Sequence, residues 1–369
     1  MKTLTYIKKE NLNTFLEKLN KNYDVFLPVQ NKADGTINFE SLDIVNDNNV
    51  INLKEKTRKS PKSLFFPPSE NLFEFEYKKD IKKPDIMEIK LLESEKLISD
   101  EINSRKKVIF GIKPCDTMAV KCLDLVFGEG EKKDPYYTMK RKNTILISIG
   151  CSNVFPDCFC TSVGGNPFYF DYSDLGLIDM GQNLVIFKLS ERDDLRKLLD
   201  ECNEFFEERE INSDEEIEIK KIISESEKKC SSSCESVNAE DIALDMERKF
   251  SEEEMWKNIT RKCISCAACT YVCPTCVCFN IGDEQTGMKG ERYKCWDFCT
   301  NYYYTLEASG HNPREKIYQR YRNKINCKYN YFYKRNKNLY CVGCGRCIDV
   351  CPVGMDIREI VQHVRSLQK

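Results

Sequence analysis

Read from its N-terminus, the chain sets short apolar runs between polar, turn-forming clusters. In "DVFLPVQNKADGTINF" and "KSLFFPPSENLFEFEY" the apolar residues come in strand-length groups broken by Pro, Asn and Gly. That pattern predicts strands joined by tight turns. From Lys107 the rhythm changes to strand, turn and helix: "VIFGI", then "KPC", then "DTMAVKCLDLVF" with Asp116 at the helix N-cap. "TILISIG" gives another strand running up to Cys151, and "LVIFKL" at 184–189 precedes the helical stretch "ERDDLRKLLDECNEFFEERE". The alternation predicts an α/β unit with a partly parallel sheet. Residues 210–240 are acidic, then rich in Lys and Ser, and read as an exposed insertion or linker, with Cys230 and Cys234 facing solvent. "AEDIALDMERKFSEEEMWKNITRK" has helical spacing and leads into a cysteine-dense final third.

Composition removes several classes of function. The 57 Lys+Arg and 59 Asp+Glu leave a net charge of −2, against the basic excess of a nucleic-acid binder. The opening "MKTLTYIKKENL" carries charges where a signal peptide needs an apolar stretch, and no apolar run approaches the roughly 18 residues of a membrane span. The expectation is a cytoplasmic protein without a transmembrane segment. There is no P-loop and no G-x-G-x-x-G after a strand, so nucleotide binding has no support. Two histidines, His311 in a turn and His363 near the C-terminus, leave little room for His-based acid–base chemistry.

Cysteine is the outlier, at 21 of 369 residues. Without an export signal and at this length, a disulfide framework is excluded, and clustered thiols point to metal or redox work. Two segments repeat one ruler, C-x2-C-x2-C-x3-C-P: "CISCAACTYVCP" at 263–274 and "CVGCGRCIDVCP" at 341–352. Three thiolates on one tight loop can hold three irons of a cubane, while the fourth cysteine, carried off on the next turn, ligates the other cluster. The spacing therefore predicts two 4Fe-4S clusters, one on Cys263, Cys266, Cys269 and Cys351, the other on Cys341, Cys344, Cys347 and Cys273. Zinc, the competing ligand for four cysteines, usually takes pairs a dozen or more residues apart. Arg261, Lys262 and Arg346 flank the rulers and either offset cluster charge or are solvated surface residues.

Cys115 and Cys151 each follow a predicted strand, and the carboxyl ends of parallel strands share one rim. Cys158 and Cys160 in "CFC" share a face if extended. These four are candidates for a third 4Fe-4S cluster, against the alternative of buried free cysteines packing as small hydrophobes. Cys276, Cys278 and Cys299 lie around the first ruler with no evident fourth partner, and read as surroundings that shield or tune its cluster, against the alternative of an extra metal site. Cys122 and Cys202 read as packing residues; Cys295 and Cys327 receive no role.

"FGIKPCDTMAV", "GCSNVFPDCFCTSVGGNP", "CISCAACTYVCPTCVCF", "SGHNPR" and "CVGCGRCIDVCPVGMDI" together resemble, in order from about residue 60 to the C-terminus, the family formed by the iron–sulfur subunits of anaerobic sulfite reductases and the beta subunits of NiFe sulfhydrogenases. The resemblance implies an electron conduit between a flavin subunit that handles NAD(P)H and a redox catalytic subunit with sirohaem or nickel–iron chemistry. It carries cluster ligation onto the eight ruler cysteines and matches Cys115, Cys151, Cys158 and Cys160 to the family's α/β-domain cysteines. The segment at 210–240 has no counterpart in that likeness. The expected fold is α+β: an α/β domain with a mixed sheet at 1–209, the insertion at 210–240, and a largely helical ferredoxin-like domain with two 4Fe-4S clusters at 241–369. The expected role is a non-catalytic electron-transfer subunit of a soluble anaerobic complex. Two alternatives are a stand-alone oxidoreductase doing sulfur chemistry at Cys276, Cys278 and Cys299, and a scaffold whose clusters only hold the fold.

Overall fold

The computed structural model describes residues 3–79, 82, 87–92 and 104–366, and two sheets organise it. The strands in chain order are β1 (Thr3–Lys8), β2 (Asp24–Asn31), β3 (Ile37–Ser41), β4 (Asn49–Ile51), β5 (Ser69–Lys79), β6 (Met87–Leu92), β7 (Lys107–Ile112), β8 (Thr144–Ile149), β9 (Leu175–Asp179), β10 (Asn183–Lys188), β11 (Phe206–Glu210), β12 (Phe279–Thr286) and β13 (Lys289–Trp296). Nine of them form the larger sheet, ordered β11-β1-β10-β9-β8-β7-β2-β3 with β4 paired to β2. Its centre is parallel: β2 with β7, β7 with β8, β8 with β9. Its flanks are antiparallel. The fold class is thus α+β with a mixed sheet, as expected.

The continuous apolar run of β8, "TILISI", is buried at every residue because helices cover both faces of the sheet there. On one face, Phe15, Leu16 and Leu19 of the helix Leu12–Asn22 and Leu195 and Leu198 of the helix Asp193–Glu201 pack against Val108, Phe110 and Ile147. On the other, Val120 and Leu123 of the helix Pro114–Leu123 and Tyr137 of the helix Pro135–Lys142 meet Phe65, Phe66, Ile109 and Leu146.

Four local expectations change. The helix expected across 191–210 stops at Glu201, and Phe206–Glu210 becomes β11, antiparallel to β1. Pairing to an open sheet edge overrides the helix preference of a Glu-rich run. Asp116 is not the N-cap. Lys113 holds that position, Pro114 opens the helix, and Asp116 sits inside the first turn. The stretch 210–240 is no loose linker: Asn212 and Glu215 form a capping box that starts the helix Ser213–Ser231. Most of that helix is exposed, but its end docks on the 158–162 loop. Ser233 donates to Cys158 O, Ser162 donates 2.7 Å to Cys234 O, and Val237 N–H donates 2.9 Å to Ser162 O. Cys230 and Cys234 are therefore buried, not solvent-facing. Finally, the domain at 241–369, expected to be largely helical, also holds the β12–β13 hairpin between its rulers.

That hairpin completes the second sheet, ordered β12-β13-β5-β6, in which β13 pairs antiparallel with β5. It fastens the cysteine-rich third to the segment just before β7. Four helices, Ala239–Arg248, Glu253–Thr260, Ile317–Asn326 and Ile357–Ser366, close around fully buried Trp256 and Ile325. The helix Ile317–Asn326 runs through a π-helical turn, Cys327–Tyr331, into Phe332–Asn336. Among the described residues, no helix is long and apolar enough to cross a membrane.

Candidate metal centres

The two rulers share one backbone shape. In the first, Ser265 (φ 55°) and Ala267 (φ 61°) are left-handed; in the second, the corresponding Gly343 (φ 63°) and Gly345 (φ 74°) are. A left-handed residue on each side of the middle cysteine coils the loop and turns backbone N–H groups toward sulfur. Ser265 N–H donates 3.5 Å to Cys263 Sγ. After the second ruler, Met355 N–H donates 3.2 Å to Cys351 Sγ. A short helix follows the middle of each loop, Ala268–Tyr271 and Arg346–Asp349, and moves the fourth cysteine away from its own triplet.

Cys263, Cys266 and Cys269 line a small cavity whose other wall includes Cys351, the fourth cysteine of the second ruler, and Cys347. Lys324 reaches into it from the helix Ile317–Asn326 and donates 2.7 Å to Cys269 Sγ. Cys341, Cys344 and Cys347, whose pKa values burial raises first, also feel the charge of Cys273, the fourth cysteine of the first ruler. One cavity thus holds the first triplet together with Cys347 and Cys351 of the second ruler. Among the described residues, no three His, Cys, Asp or Glu side chains converge as a single-ion site would require. The sulfurs surround a space and do not meet at a point.

The third set also assembles. Cys158 and Cys160 pack with Val154 and Phe155, and the charge of Cys151 acts on both, that of Cys115 on Cys160. A fifth thiol joins that the sequence pattern had placed in solvent: Cys230 Sγ lies 3.5 Å from Cys160 Sγ. The Lys- and Ser-rich neighbours of Cys230 hid it, and the capping box at Asn212 was the available signal that an ordered helix would carry it inward. Lys56 links this set to the second ruler, pairing with Asp157 and donating 3.2 Å to Cys344 O, with its Nζ 3.9 Å from Cys158 Sγ.

Electrostatics set this region apart. Arg346, inside the second ruler, is 1% exposed and makes a two-pronged ion pair with Asp116, also 1% exposed, at 2.6 and 2.8 Å. Its hydrogen bonds go to Asp116 and Thr57, while its charge also acts on the sulfurs of Cys344 and Cys115. Arg261 and Lys262 are exposed. Three buried lysines that the sequence did not single out lie among the ruler cysteines: Lys62, Lys324 and Lys328, each 3% exposed. Burial opposes the charge of Lys324, but Cys269, then Tyr321 and Cys347, outweigh it and hold its pKa well above the ordinary value. Burial pulls Lys62 down to about 8, with Cys276 and Cys273 working the other way. Lys294, equally buried, has Glu70 and Asp134 within 2.8 and 3.0 Å, whereas these three have no carboxylate partner among the described residues. Thiols at cubane spacing, N–H groups turned to sulfur and buried ammonium groups lacking an anion fit a sulfur-ligated anionic cofactor.

Comparison with known proteins agrees with this chemistry. Residues 262–355, which hold both rulers, match the 4Fe-4S dicluster domain family. Over 371 aligned residues the chain is 28% identical to sulfhydrogenase 2 subunit beta of Pyrococcus furiosus, an alignment spanning 98% of this chain and 99% of that one. The resemblance drawn from the motifs is borne out over nearly the whole length.

Proposed function

With an iron–sulfur electron-transfer subunit carrying a 4Fe-4S dicluster domain as the premise, we propose that this chain relays single electrons between a flavin subunit that handles NAD(P)H and a redox catalytic subunit of the sulfite-reductase or NiFe-hydrogenase kind. The ligands in this reading are Cys263, Cys266, Cys269 and Cys351 for one 4Fe-4S cluster and Cys341, Cys344, Cys347 and Cys273 for another. A third draws on Cys115, Cys151, Cys158 and Cys160, with Cys230 as a further thiol at its edge. Each bound cluster supplies one reversible electron, which is what a link between a two-electron hydride donor and a second active site requires.

The protein's part is to hold, shield and tune. Cys266 is exposed and borders a surface cleft lined by Arg58, Lys59 and Tyr271, which makes the first ruler the port where a partner exchanges electrons. The second ruler, packed beneath the 157–160 loop, is the interior relay. Lys324 lies beside both and offsets their negative charge. The observation that carries the reading is the cavity that draws Cys351 in with Cys263, Cys266 and Cys269.

Anaerobic purification followed by iron analysis and EPR of the reduced protein tests it. The expected result is at least about eight irons per chain and signals of interacting cubanes; fewer than about eight would exclude the pair. Co-purification of the native complex identifies the terminal partner, with sirohaem indicating sulfite reduction and nickel a hydrogenase.

A further inference from the structure

We propose that Cys276, Cys278, Cys299 and Cys327 hold a fourth iron–sulfur cluster, with Lys62 and Lys328 as its built-in counter-charges. Neither the dicluster pattern nor the third cysteine set includes these residues, and the sequence offered only three of them, with no fourth in view. Folding supplies it. Cys276 and Cys278 lie between Pro274 and β12, Cys299 follows β13, and Cys327 opens the π-helical turn.

Several independent contacts draw the four segments together. Asp297 N–H donates 3.0 Å to Cys278 O, closing the base of the hairpin so that Cys278 and Cys299 face each other. Val277, between the first two cysteines, packs in the same apolar cluster as Cys327. Lys328, the next residue after Cys327, donates 2.6 Å to the hydroxyl of Thr275, the residue before Cys276. Lys328, Cys278 and Cys273 are close enough to Cys327 for their charges to act on it. All four cysteines are free thiols. A π-helical turn inserts a residue into the helix and re-aims the side chains around it, a device common at functional sites.

The buried cations point to an anion beside these thiols. Lys62 donates to Cys273 O at 3.1 Å and Cys276 O at 2.8 Å and lies 3.9 Å over the Trp296 ring. Lys328 has the Thr275 hydroxyl and sits 4.5 Å over the Tyr340 ring. Neither has a carboxylate among the described residues, and an ammonium group buried among carbonyls, hydroxyls and rings is costly unless an anion joins it. An iron–sulfur cluster held by four thiolates is such an anion. Because Cys276 also faces Cys273, the new site adjoins the second ruler and extends the relay toward the β12–β13 hairpin. The choice of iron rests on the relay reading; the thiol site itself does not.

The test uses the full chain, purified anaerobically and supplied with iron and sulfide, with metal content and EPR of the reduced state as readouts. Cys299→Ala/Cys327→Ala is expected to lose about four irons and one reduced signal while keeping those that Cys263→Ala/Cys266→Ala removes. An unchanged iron count in the first variant, or zinc bound at these thiols in the wild type, overturns the proposal. Should that variant fail to fold, Cys327→Ser, which nearly preserves shape, is expected to shift one EPR component; an unaltered spectrum overturns the site. If the signals dependent on Cys263 and Cys266 are missing from the wild type while four irons still depend on Cys299 and Cys327, the relay reading falls and this site stands.

Discussion

Ser265 and Ala267 in the first ruler adopt the same left-handed backbone as Gly343 and Gly345 in the second, yet the two loops live in different surroundings. In the first, Ile264 and Cys266 are exposed and Cβ atoms are accommodated. In the second, residues 342–346 are all buried. A Cβ on Gly343 would lie 2.5 Å from Cys160 backbone atoms, and one on Gly345 would lie 2.4 Å from Asp157 O. The difference teaches that cysteine spacing sets the ligand geometry, while the residues between the cysteines record what the loop packs against. The surface loop tolerates side chains at some backbone strain. The interior loop needs glycine because another cysteine segment lies on top of it.

Substitutions sharpen this contrast, in falling order of expected effect. Arg346→Met should destabilise the protein by about 3–5 kcal/mol in chemical denaturation, because it strands the buried Asp116 carboxylate; adding Asp116→Leu should recover much of the loss. Gly345→Ala should cost about 2–4 kcal/mol by the same measurement, from the left-handed backbone together with overpacking against the 157–160 loop. Lys324→Met should leave the iron content intact and lower the reduction potential of the cluster on Cys263, Cys266 and Cys269 by on the order of 50–100 mV in an EPR-monitored titration. The sign follows from charge, since reduction adds a negative charge that the ammonium group favours. Ala267→Gly should raise stability by no more than about 1 kcal/mol, as relief of strain is largely offset by a more flexible unfolded chain. Equal costs at Gly345→Ala and a bulky substitution at Ala267 would erase the distinction between the loops.

Much of this was legible before folding. The rulers are written locally, so the dicluster domain could be read from spacing, and the alternation around "TILISIG" announced a strand of a partly parallel sheet. What escaped depends on contacts between distant segments. Lys62, Lys324 and Lys328 look like ordinary surface lysines, since burial of that side chain is rare and sequence does not reveal an anion waiting for it. β11 and the β12–β13 hairpin are polar and form strands only because β1 and β5 offer open edges. Cys327 had no visible partners because its neighbours come from either side of a hairpin that joins the N-terminal third.

The central claim is that the rulers exchange their fourth cysteines, and an EPR-monitored redox titration of Cys351→Ser tests it most directly. The component perturbed should be the one that Cys266→Ser also perturbs, with the component sensitive to Cys344→Ser unchanged. If Cys351→Ser instead altered the component that depends on Cys344, each ruler would be holding its own cluster and the exchange would be refuted.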